Sequence, residues 1–212
     1  MAAPGLRLGL EVLSSESRQE DAEPMSSAVD RVAPASRTTL AAVLCAGAAV
    51  AVVMGVYAKA HTPAGQPLFM LGFSGMLQMK VWLTCAATAL LLVQLTTALW
   101  IWGRLPGAGE APGWVSPVHR WSGSIAFVVT LPVAFHCIWA LGFSDTGPRV
   151  LAHSLAGCMF YGAYASKMLA LRVERLPGWV LPILGGSVLG LLVTIWLTAA
   201  LWFFTRSGLP LV

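Results

Sequence analysis

The chain has 212 residues, of which 57% are hydrophobic and 10% charged, with nine tryptophans, a mean hydropathy of +0.75 and a formal net charge of +4. A soluble globular domain carries about 25% charged residues, so the composition excludes an ordinary soluble domain and points to a membrane protein. The four cysteines, Cys45, Cys85, Cys137 and Cys158, sit in apolar sequence at wide spacings with no CxxC or CxxCH. That pattern gives no support to a zinc cluster or to covalent c-type haem attachment, and it predicts free thiols packed as small hydrophobes.

Residues 1–38 come first and differ in kind. They hold six acids (Glu11, Glu16, Glu20, Asp21, Glu23, Asp30) and four arginines among Ser, Ala and Pro, without sustained periodicity. A disordered tail is expected. No signal-peptide h-region is expected in it, and Met25 offers an alternative start.

Residues 39–212 then run in five apolar blocks, approximately Thr39–Lys59, Val81–Gly103, His119–Leu141, Val150–Leu171 and Trp179–Phe204. About twenty residues of helix cross roughly 30 Å of hydrocarbon. The blocks are too long for strands and lack the alternation of an outer-membrane barrel, so the backbone is most cheaply satisfied in helices. The expected fold is all-α, a polytopic membrane bundle of five transmembrane helices.

The loops suggest an orientation. With the amino terminus inside, the inner face receives Arg31, Arg37, Arg104, Arg120, Lys167, Arg172 and Arg175, and the outer face receives Lys59, Lys80, Arg149 and Arg206. The excess favours N-in and C-out in the cytoplasmic membrane, with residues 1–38 as a cytoplasmic tail. Both inner turns carry RLPG (Arg104–Gly107 and Arg175–Gly178), and PGWVSP at Pro112–Pro117 matches PGWVLP at Pro177–Pro182. An old hairpin duplication explains this, and so does the general use of Pro, Gly and Trp in membrane turns.

The chemistry concentrates around one outer turn, FHCIWALGFSDTGPRVLAHSLAGC. Counting along the helices puts His136 and His153 at one depth, about 8–10 Å below the outer surface. Imidazoles inside hydrocarbon are costly unless bonded and are functional candidates by default. The strongest physical reason for such a pair is axial ligation of one haem b. Pro132 and Ala140 beside His136, and Gly157 beside His153, are small enough to let a flat macrocycle approach. Arg149 could meet a propionate. The competing account is a pair of core histidines bonded to carbonyls, to water or to each other.

HRWSGSIAFVVTLPVAFH, His119 to His136, resembles the haem-carrying helices of b-type membrane cytochromes in the ferric-reductase and cytochrome-b superfamily. The resemblance covers mainly the third and fourth blocks and implies His136 and His153 as axial ligands. The chain after Arg37 also resembles a family of five-helix membrane proteins of high-GC bacteria. A two-haem cytochrome repeats its histidines thirteen or fourteen residues apart, whereas His119 and His136 are separated by seventeen, which rotates the face by about 100°. One haem is therefore expected.

Two other histidines need readings. His119 is expected as a solvated interfacial residue, with an anionic lipid or a quinone as its ligand if it has one. His61, at AKAHTP, competes as a partner for His136, because helices one and three are expected to be diagonal and three and four adjacent. All three outer histidines together would suggest copper or zinc. Pro63–Lys80 is expected to lie in the interface, covering the histidine site or walling a hydrophobic pocket, with an ordinary interfacial half-helix as the plainer account. Two function classes follow. One is a b-type electron-transfer protein passing electrons between quinol or a membrane redox partner and an acceptor. The other is a non-redox membrane subunit that assembles through small-residue faces.

Overall fold

The structure is a computed structural model and describes residues 36–208; the expected tail, apart from its last residues, lies outside that range. Within it the chain is all-helical. Helix α1 is Arg37–Ala60, α2 is Met76–Ile101, α3 is Val115–His136, α4 is Pro148–Ala170, α5 is Val180–Trp196 and α6 is Trp202–Ser207. Single π turns, Cys137–Leu141 and Leu197–Leu201, extend α3 and join α5 to α6, giving continuous spans of Val115–Leu141 and Val180–Ser207. Four helical spans are long and apolar enough to cross a membrane: α1, α2, α3 with its extension, and α5 with α6. Helix α4 is comparable in length at 23 residues, but His153, Lys167 and two tyrosines make it more polar. The exposed side chains of these helices include Val52, Val53, Val56, Leu92 and Trp121, an outer surface suited to lipid rather than water.

Helix ends follow local chemistry. Ser36 caps α1, its Oγ accepting from the Thr39 amide at 3.1 Å. Pro148 occupies the first position of α4, where its missing N–H costs nothing. The two PGWV turns fold alike: the amides of Val115 and Val180 donate to the carbonyls of Pro112 and Pro177, both at 3.0 Å, and both valines are buried.

The helices are not arranged in chain order. Helix α2 packs on α3 and on the α5 end, α5 on α4, and α4 on α1, while α1 reaches α3 chiefly at the π turn. There the amides of Ala64 and Gly65 donate to the carbonyls of Trp139 and Ala140, at 3.0 and 3.1 Å, and the Phe143 amide donates to the Ala58 carbonyl at 2.9 Å. Backbone groups released at two helix ends thereby satisfy each other. Gly142 permits this turn: its φ is 71°, and a Cβ there would lie 2.9 Å from Pro63 Cγ.

The expectation that α3 and α4 are neighbours is corrected. Despite the short connection they lack close backbone packing and meet through side chains, with the Tyr161 hydroxyl donating to the Thr130 carbonyl at 3.0 Å and Phe127 stacked on Tyr164. The neighbour of α4 is α1. Gly47 and Gly162 face each other, and the Ser166 hydroxyl donates to the Val43 carbonyl at 3.2 Å, a small-residue contact that lets two backbones approach.

Candidate functional site

Because α3 and α4 stand apart, the bundle holds a partly open cavity of about 170 Å³ between them, flanked by α1, α2 and α5. Its wall is mainly apolar, including Met54, Val133, Phe160 and Leu192. Lys80, Cys137 and His153 also line it. Gly157 lies on the same wall with open space where a side chain would be.

The tautomers follow from the partners. The Thr198 hydroxyl donates to the Thr194 carbonyl at 2.6 Å, so it accepts from His153 Nδ1–H, at 3.1 Å, and His153 Nε2 keeps its lone pair. The Pro132 carbonyl can only accept, so His136 Nδ1–H donates to it at 2.8 Å. His136 is 0% exposed, and its Nε2 is buried without a partner. Phe69, from the segment between α1 and α2, meets the His136 ring edge-on at 4.5 Å. That segment thus covers His136 and contributes nothing to the cavity wall, whereas His153 lines the wall and His136 does not.

The other candidates are engaged elsewhere. His61 lies between Tyr57 and Trp139, with ring centroids at 5.4 and 4.8 Å, and its Nε2–H donates to the Trp139 carbonyl at 3.3 Å. Arg149 donates to the Thr198 carbonyl and stacks over Trp202 at 3.9 Å, which ties its guanidinium to α5 and α6. His119 is half-buried rather than solvated. Thr97 donates to the Val93 carbonyl and accepts from His119 Nδ1–H at 2.8 Å, while Gln94 donates to the His119 carbonyl and bonds Ser122 Oγ. Among the described residues no three His, Cys, Asp or Glu side chains gather as a metal site, so the three-histidine copper or zinc arrangement is not assembled. All four cysteines are free thiols.

A haem can be tested against these residues. Two imidazoles with Nδ1–H engaged and Nε2 bare are suitable iron donors, since a ligating histidine typically gives its other N–H to a carbonyl or hydroxyl. The space does not fit. The cavity is smaller than the roughly 300–1,000 Å³ of pockets that take drug-sized ligands, and one of the two donors is off its wall.

Lys80 was hidden in the sequence because it borders an apolar block and resembles a loop charge. Helix α2 begins five residues earlier than that block, at Met76, and so carries Lys80, part-buried, onto the cavity wall. Three acids occur among the described residues, Glu110, Asp145 and Glu174, all in loops. Asp145 pairs with Lys59 at 3.0 Å, and that hydrogen bond and charge hold its carboxyl below the usual range. Both side chains are largely exposed, so the pair adds little stability.

Fold and site together define an all-helical, multi-pass membrane protein with an interior cavity. The chain belongs to the family described as a family of unknown function (DUF6529), whose profile matches residues 40–211. No curated protein and no solved structure matches the chain.

Proposed function

We propose that the protein is a non-redox integral membrane subunit that holds a hydrophobic small molecule inside a bundle of five transmembrane helices. One observation carries this reading: α3 and α4 are held apart around an apolar cavity into which a few polar groups converge. A mainly apolar recess with a few convergent polar groups is the usual form of a small-molecule site, and this volume takes a group about the size of a small ring. The small-residue contact of α1 with α4 shows how this chain packs helices, and the same chemistry serves assembly with partner proteins. The excess of basic residues in the loops assigned to the inner side supports an N-in, C-out reading in the cytoplasmic membrane. A reporter active only outside that membrane should work when fused after Val212 and fail when fused at Ala111; the reverse pattern would invert the orientation.

A second reading is favoured by His136. Its bare, buried Nε2 suits a b-type cytochrome-like electron-transfer protein, with haem b held by His136 and His153 beside Gly157 and Arg149. Haem would supply one-electron transfer between quinol or a membrane redox protein and an acceptor. This reading needs α3 and α4 farther apart than they stand, and its likeness to cytochromes rests on sequence pattern in those two helices. The optical spectrum of protein purified from haem-replete cells separates the two. We expect no Soret or alpha band, before or after dithionite. Sharp bands from folded protein would put the second reading first.

A further inference from the structure

We propose that the cavity is the head pocket of a site for a single-chain amphipathic carboxylate, a long-chain fatty acid in chemical class, with Lys80 as the group that recognises the head. The proposal rests on the cavity-binding reading above and names its ligand.

The first argument is charge. Lys80, part-buried one turn into α2, lines the cavity, yet the acids of the described chain all sit in loops, and one of them, Asp145, is bonded to Lys59. A cation on the wall of an apolar cavity that no carboxylate lines is suited to an anionic ligand, which it meets by a charge-assisted hydrogen bond. His153 adds a second polar contact. With its Nδ1–H committed to Thr198, its Nε2 can accept from a protonated carboxyl or, once protonated, donate to a carboxylate. Lys80 and His153 both line the cavity, with Cys137 between the two helices that carry them.

The second argument is shape. The cavity is about the size that accommodates a small ring, too small for a double-chain lipid but sufficient for a carboxyl and the first carbons of a chain. A second depression runs along α1 and α4, lined by Val52, Val56, Leu155 and Met159 and by Lys59, whose ammonium is paired with Asp145, and it shares Phe143 and Cys158 with the cavity. Those two side chains mark where head pocket and outer groove meet. A tail leaving the cavity there enters an apolar channel on the surface that the bundle turns to lipid, so the tail need not fit inside. Head chemistry and tail path together specify one chain with one anionic end.

The test uses the full chain in nanodiscs of zwitterionic lipid, with dibrominated stearic acid and its methyl ester as probes. Trp139 and Trp196 follow the cavity-lining Ile138 and Ile195 in sequence, so bromine in the site should quench tryptophan fluorescence. We expect saturable quenching by the acid at a concentration about tenfold or more below that of the ester, the worth of a hydrogen bond to a charged group. Lys80→Met should erase the difference between acid and ester, and Lys80→Arg should keep it. Equal binding of acid and ester overturns the carboxylate assignment while leaving the cavity reading intact. Absence of saturable quenching by either probe overturns both. Displacement of the acid by phosphatidylglycerol at equal mole fraction overturns the single-chain assignment. If Lys80→Met is monodisperse and still prefers the acid, Lys80 is not the recognising group.

Discussion

Replacing Gly162 by leucine should separate α1 from α4 and cause a large loss of stability. A Cβ at this position already lies 2.9 Å from Ala51 Cβ and closer still to the Gly47 carbonyl oxygen, which belongs to the backbone and cannot step aside as a flexible side chain can. Overpacking of a filled contact costs about 1–3 kcal/mol, and leucine adds three further carbons beyond that Cβ. The contact also brings the Ser166 hydroxyl to the Val43 carbonyl, so a displaced helix loses that hydrogen bond too. Thermal unfolding in detergent measures the effect. Gly190→Leu is the control, since no atom lies within 4 Å of its Cβ position, and it should melt with the parent. Parent-like melting of Gly162→Leu would mean that α1 and α4 are not in this contact.

Much of this architecture is legible in hydropathy because helix length against bilayer thickness is a strong constraint. Thr39–Lys59 and Trp179–Phe204 lie within a few residues of α1 and of the span Val180–Ser207. What hydropathy cannot show is azimuth and neighbour choice. A lysine next to an apolar run has the same local pattern whether it ends a helix or enters one. Gly75, extended and unable to cap by a side chain, sets the start of α2 one turn before Lys80. Helix order escapes for a related reason. A short connection argues that consecutive helices are adjacent, but the glycines at positions 47 and 162 decide which backbones approach most closely, and these lie more than a hundred residues apart. Counting along a helix assigns His136 and His153 a depth. Depth does not tell which way a ring points. One residue of rotation, about 100°, separates Cys137 on the cavity wall from His136 under Phe69.

The same rotation makes His136 the residue on which the two functional readings differ most. With Nε2 empty, His136→Leu should leave a folded, colourless protein at least as stable as the parent. A buried acceptor without a partner costs about 1–3 kcal/mol, and leucine fills a comparable space without one. The substitution also removes the Nδ1–H donation to the Pro132 carbonyl. That carbonyl lies four residues before His136 and keeps its place in the helical ladder, so its loss is small. The balance predicts a gain of about 1 kcal/mol, visible as a higher thermal midpoint. If His136 instead ligates iron, leucine removes a bond and leaves the opposite ligand unmatched, and both the midpoint and any Soret absorbance fall together. His153→Leu sharpens the comparison. On the cavity reading it opens no void at His136 and weakens binding of the brominated acid without changing the spectrum. On the haem reading it reproduces the His136→Leu loss of colour. The two variants in one experiment therefore assign His136 either to packing or to a cofactor, because no packing role couples its midpoint to a visible band.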